Sequence, residues 1–205
     1  MINEIISTTL QILVIALIPF VVFLIKKKKA RGFFSYIGFK RSNTKANLTA
    51  VGLSLVLFLP PLIMVLLNEE FREIMLDPQT TTGKFREMSF SISSLILILI
   101  KAVFETALAE EILFRGFTAK RLIAVTNYQI GNLLQAAIFG IIHCLLFMTI
   151  SSNPIFLVFI GLFTTVGAYL MVFINEKMAN GSILPGWIMH ATANLMSYCF
   201  IGFLV

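Results

Sequence analysis

Six stretches of this chain, near residues 5 to 25, 46 to 67, 92 to 117, 128 to 149, 154 to 175 and 183 to 204, stay apolar long enough to matter for membranes. A hydrocarbon layer of about 30 Å is crossed by about 20 helical residues. Inside lipid every backbone N–H and C=O has to be satisfied by the protein itself, which leaves only helices and closed barrels. The runs here are continuous, whereas barrel strands alternate over about ten residues. The sequence therefore predicts an all-α, polytopic transmembrane helical bundle of about six spans. Composition agrees, since 58% of the 205 residues are hydrophobic, 13% are charged and 20 are Phe, a balance outside the range of soluble globular domains.

The charge pattern orients the bundle. Net charge is +6, and half of the 16 Lys and Arg residues fall between Lys26 and Lys45. In a soluble chain such a cluster would raise nucleic acid as a partner; after a membrane span it marks the cytoplasmic side and can touch anionic headgroups, so no nucleic acid is expected. The loop from Glu69 to Glu87 holds five acidic and three basic residues and belongs on the opposite side. Alternation then places Lys120, Arg121 and Lys177 inside, with Ser151 to Pro154 and both termini outside. The first run has no basic stretch before it and carries Lys26 to Lys29 after it, so it reads as a retained span rather than a cleaved signal.

Smaller features read as packing. Cys144 and Cys199 lie within expected spans and supply no disulfide framework; they are read as small core residues. Gly161 and Gly167 are expected to let helices approach within the chain, and Pro60-Pro61 to kink the second span. The segments Lys26 to Lys45 and Glu69 to Met88 read as ordinary loops.

Against this background, a few polar groups stand inside apolar runs, where ionisable side chains are functional by default. Glu111 and Arg115 are spaced i, i+4 with the acid first, the favoured order for a helical ion pair. Glu110 points about 100° away on an α-helix and has no basic residue one turn on, so it is the unpaired carboxylate, the kind that serves as a general base. Phe139 and His143 share a face of the fourth run, and His190 and Asn194 share a face of the sixth. Val125-Thr126-Asn127 is the natural turn between the third and fourth runs. Glu110 and His143 are then level, more than about 20 Å along each helix from that turn. Each motif has a bland reading alone: charges at a helix end, or a histidine bonded across helices. Lys101 and Glu105 form a further i, i+4 pair, read as structural or as a snorkelling lysine. Together the motifs supply a carboxylate, two imidazoles and a carboxamide on three helices.

The segment Glu110-Glu111-Ile112-Leu113-Phe114-Arg115-Gly116 resembles an EExxxR motif, Phe139 to His143 an FxxxH motif, and His190 to Asn194 an HxxxN motif. In this order the three are similar to those of the CAAX protease and bacteriocin-processing (Abi) family of intramembrane proteases, across about residues 90 to 205. The resemblance implies that Glu110 and His143 activate a water, that His190 and Asn194 form an oxyanion hole, and that Glu111, Arg115 and Phe139 support them. It implies no cofactor and no metal. The chain is expected to be a single domain over 1–205, with N-terminal helices in 1–89 and the catalytic helices in 90–205. Its expected activity is endoproteolysis of a lipidated or membrane-anchored protein or peptide, in a bacterial plasma membrane, with the site facing the cytoplasm. The chain has fewer spans than the prenyl-protein endopeptidase branch, which bears on substrate identity more than on chemistry.

Three rival readings use the same residues. Glu110, His143 and His190 could supply three ligands of a catalytic zinc, although no HExxH is present. A non-enzymatic scaffold or bacteriocin self-immunity protein would use the bundle to bind a partner and would not need Glu110. A proton-coupled transporter would use Glu and His as a relay but calls for paired broken helices or inverted repeats, which the sequence does not display.

Overall fold

The computed structural model describes residues 1–204, and among these there is no strand. Five helices are long and apolar enough to cross a membrane: Ile2–Lys27, Thr44–Leu67, Ile92–Val125, Tyr128–Phe147 and Pro154–Met178. They are called the first to fifth spans. The sixth, Leu184–Met196, continues as the π-helical turn Ser197–Ile201. The starts are set by side chains that accept otherwise orphaned N–H groups. Asn43 accepts from Ala46, Asn127 from Ile130, and Asn153 from Ile155 and Phe156, while Ser91 and Ser94 cap each other reciprocally.

The third span departs from the α-helix assumed from sequence. It is π-helical over Ile100–Leu108 and again over Glu111–Ala119, with Glu110 at the junction. Thr118 donates to the Leu113 carbonyl five residues back at 2.9 Å, matching the wider coil. Such π segments are rare and frequently accompany functional sites. The fifth span also ends in a π-helical turn, Ile174–Met178.

Packing follows the small and polar residues. The fourth and fifth spans form a close hairpin, where a Cβ on Gly140 would collide with Thr165 and with the Gly161 carbonyl. The approach expected at Gly161 is thus made within the chain, whereas Gly167 faces open space. The first span is tied to the third near its N-terminal end. Thr8 donates to Glu105 at 2.8 Å and Gln11 to the Glu105 carbonyl at 2.9 Å, and Lys101 reaches Glu105 at 3.0 Å and Glu4 at 3.3 Å. Lys101 and Glu105 are therefore a structural tie. The sixth helix lies in the middle, packed on the second, third and fifth spans. This explains why it carries polar residues: protein rather than lipid surrounds them.

The two polar segments are not plain loops. Phe33–Tyr36, Glu69–Met75 and Thr81–Arg86 are short helices. Asn68 and Thr80 cap the latter two, and Phe71, Ile74 and Phe85 are buried beneath the spans. The second span is helical through Pro60 and Pro61.

The basic segments meet on one face. Lys120 bonds Glu176 at 2.6 Å and the Gly181 carbonyl at 2.8 Å, and Arg121 lies 3.8 Å over the Tyr36 ring. Ser182 donates to the Lys40 carbonyl, and Asn43 to that of Met178. Gly38, at φ 75°, holds a left-handed turn where a side chain would strike the Gly181 carbonyl. At the other end, Phe71 packs on Phe156, and Phe85 on Tyr198 and Phe203. The arrangement that charge alternation requires, with residues 26–45, 119–127 and 175–183 on one side and 69–91 and 151–154 on the other, is the one the helices adopt.

Candidate active site

Glu111 is the buried centre of the polar cluster. Its side chain is 0% exposed, and its Oε1 lies 3.2 Å from Arg115 Nε and 3.2 Å from His190 Nδ1. The Arg115 contact is an ion pair rather than a hydrogen bond, because the Nε–H is not aimed at the oxygen. A carboxylate oxygen only accepts, so His190 donates from Nδ1. Sequence reasoning paired Glu111 with Arg115 alone; the tertiary fold adds the histidine from the sixth helix.

Glu110 approaches the same imidazole from its other side. Its Oε2 is 3.8 Å from His190 Nε2 and has no hydrogen-bond partner. The side chain retains 27% exposure, unlike Glu111. Adjacent residues at a π-helical junction thus straddle one ring, and Glu110 is the carboxylate whose oxygen at that ring is buried without a hydrogen-bond partner.

His143 is oriented by its own helix. Its Nδ1 lies 2.9 Å from the Phe139 carbonyl, which can only accept, so Nδ1 carries the proton and the neutral ring exposes a lone pair at Nε2. Phe139 forms a plate between the helices: its ring lies 4.3 Å from the His143 ring at a tilt of 37°, sits 6.2 Å from that of His190, and carries the Arg115 guanidinium 4.1 Å above its face. Phe114 meets it edge-on at 4.9 Å. Arg115, 1% exposed, also reaches Met171 Sδ at 3.0 Å. Asn194, one turn beyond His190, holds a buried Nδ2 without a partner. The cluster lies nine or ten residues along the third and sixth helices from the Lys120–Gly181 contact, about 15 Å at an α-helical rise.

All seven residues singled out from the sequence lie on the third, fourth and sixth helices, and side-chain contacts link Glu110, Glu111, Arg115, Phe139, His143 and His190. Asn194 joins by position only. Sequence reasoning missed Asn175, which is 1% exposed and accepts from the Gly186 N–H at 2.8 Å. Its signal was a carboxamide closing an apolar run, easily taken for a helix end. It also missed why residue 186 is glycine: a Cβ there would lie 2.6 Å from both Glu111 Oε2 and Asn175 Nδ2.

Among the described residues, no three His, Cys, Asp or Glu side chains are grouped as metal ligands would be. The donor geometry of Glu110, His143 and His190 therefore does not fit the zinc alternative.

A comparison with family models matches residues 92–196 to the type II CAAX prenyl endopeptidase Rce1-like family. The matched stretch runs from the start of the third span to just past Asn194 and contains every motif of the cluster. No curated protein and no solved structure is significantly similar to the chain. The match spans half of the sequence, and the chain belongs to the type II CAAX prenyl endopeptidase Rce1-like family of membrane-embedded peptidases.

Proposed function

We propose that the chain is an intramembrane endopeptidase in which Glu110 and His143 activate a water and His190 with Asn194 receives the oxyanion. The observation that carries this is the contrast between two adjacent glutamates. Glu111 is fully buried and held by Arg115 and His190, whereas Glu110 has no charged partner other than a distant imidazole contact, a buried oxygen without a hydrogen bond, and a side chain that is still 27% exposed. A free carboxylate beside an imidazole with an available lone pair is what removal of a proton from water requires. As that water attacks the scissile carbonyl, negative charge develops on the carbonyl oxygen. The unsatisfied Asn194 amide is a donor held ready for it, and each such donor is worth about a hundred- to thousand-fold in rate. His190 donates from Nδ1 to Glu111; a second donor at Nε2 requires the doubly protonated ring, whose charge Glu111 balances. Arg115, Phe139 and Glu111 hold these groups without touching substrate.

The substrate we favour is a peptide or protein with a lipid or membrane anchor. A groove of about 1030 Å³ opens between the first span and the Phe33–Tyr36 helix, lined by Leu13, Leu17, Phe20 and Phe34 and, from the third span, by Leu108 and Ile112. It borders the stretch that carries Glu110 and Glu111 and suits an apolar chain. Hydrolysis is expected near the anchored end of the substrate, with the site open toward the cytoplasm.

The test compares purified wild type with Glu110→Ala in liposomes, using a mixed library of prenylated and unmodified peptides and mass spectrometry of the products. Wild type should cleave, and Glu110→Ala should lose activity by at least about a hundredfold while inserting normally. Equal cleavage by both proteins would remove Glu110 from the mechanism. An inert wild type would favour a binding role.

A further inference from the structure

The geometry points to Asn175 as a positioning residue that holds the second oxygen of Glu111, an inference that rests on the catalytic reading above. Both polar ligands of Glu111, Arg115 and His190, approach its Oε1, and Oε2 is buried without a hydrogen-bond partner. Asn175 Nδ2 is also buried without a partner. The two atoms meet at the space a side chain on Gly186 would fill: each lies 2.6 Å from the point a Cβ there would occupy, so they are separated by no more than twice that distance. The orientation of the amide is settled by its other end. Asn175 Oδ1 takes the Gly186 N–H at 2.8 Å, which demands an acceptor, so the donor end must turn toward Glu111.

An orphaned donor opposite an orphaned acceptor, with the intervening side chain reduced to hydrogen, is a hydrogen bond that a small rotation completes. Asn175 then does two things at once. It satisfies a donor in the first turn of the sixth helix, one turn before His190, and it fixes the carboxylate that bonds His190. The fifth span thereby sets the distance between the third and sixth helices at the reacting groups. Its π-helical turn, Ile174–Met178, places the Asn175 amide inward while the neighbouring Glu176 turns out to Lys120.

A residue that merely capped Gly186 would still accept that N–H as aspartate, and its cost as a buried charge would be the same whether residue 111 is Glu or Gln. For a residue that donates to Glu111 the cost would depend on that exchange. In Asn175→Asp the new carboxylate opposes Glu111, while the other charged or titratable groups facing Glu111 are Arg115 from its own helix and His190 from the sixth, with Glu110 on the far side of that imidazole. The variant should melt several degrees below wild type in detergent at neutral pH. The gap should narrow as acid protonates the new carboxyl and turns it into a donor. On a Glu111→Gln background the penalty should vanish, which identifies Glu111 as its cause. With a peptide that wild type cleaves, Asn175→Asp should lose at least tenfold in kcat at neutral pH with KM nearly unchanged, and the ratio to wild type should rise toward acid.

Asn175→Asp as stable as wild type at neutral pH, or a penalty that persists with Glu111→Gln, would overturn the assignment. The melting comparison requires no substrate. Failure of the peptidase reading, seen as an inert wild type or as a fully active Glu110→Ala, is therefore separable from failure of this one.

Discussion

At the scale of single residues, the site is governed by which oxygen and which nitrogen remain free. Glu111 and Glu110 are the same side chain one position apart, yet one is sealed between a guanidinium and an imidazole and the other stays 27% exposed. The difference arises from the sixth helix, which presents His190 between them. Gly186 belongs to this account, since any Cβ there enters the space between Glu111 and Asn175. Gly186→Ala should lower kcat/KM by about a hundredfold, the effect of displacing reacting groups by about 1 Å, while leaving insertion unchanged; peptide cleavage alongside a membrane-extraction assay checks both. Asn194→Ala should cost a similar factor in kcat through the lost oxyanion donor, with KM nearly constant in steady-state kinetics. The motif residues themselves were legible in the sequence because charged or imidazole groups stand out in an apolar run. Asn175 was not, because a carboxamide at the end of a run looks like a helix terminus until its neighbours are known.

At the scale of elements, close packing of helices depends on where side chains are missing. Gly140 meets the backbone of Gly161 and the Thr165 hydroxyl, leaving no room for even a methyl group, whereas the nearest atom to a Cβ on Gly161 is Cys144 Cβ at 3.6 Å, an ordinary contact. Gly140→Leu should therefore force the hairpin apart at a cost of about 3 kcal/mol, and Gly161→Ala should be nearly neutral, a contrast that thermal unfolding in detergent resolves. Because Phe139 and His143 flank Gly140 on the fourth span, the leucine variant should lose activity as well. The spans were legible from hydropathy, while the caps that set their starts, Asn43, Asn127 and Asn153, emerged with the structure. The π-helical turns of the third and fifth spans were not, because a hydrogen bond shifted by one residue leaves no mark on composition. The short helices under the polar segments were likewise hidden, since Phe71, Ile74 and Phe85 form a buried face only once the spans are there to cover them.

At the scale of the whole molecule, the basic segments gather on one face and the acidic loop on the other. From the positive-inside rule we propose that the Lys120–Glu176 contact faces the cytoplasm. A cysteine replacing Asn180 should then react with an impermeant maleimide only in inside-out vesicles, and one replacing Ser152 only in right-side-out vesicles, with both native cysteines changed to Ala. Labelling of both from the same side would contradict the arrangement. Sequence alone determined that the chain is a helical membrane bundle, roughly where its spans lie, and which polar side chains stand inside them, because lipid penalises every polar group that lacks a reason to be there. Tertiary structure alone decided how those side chains are paired. Whether a carboxylate is paired or free depends on the groups that other helices bring within about 4 Å of it, and those neighbours are distant in the chain: His190 meets Glu111 across 79 residues, an interval that no local pattern of residues encodes.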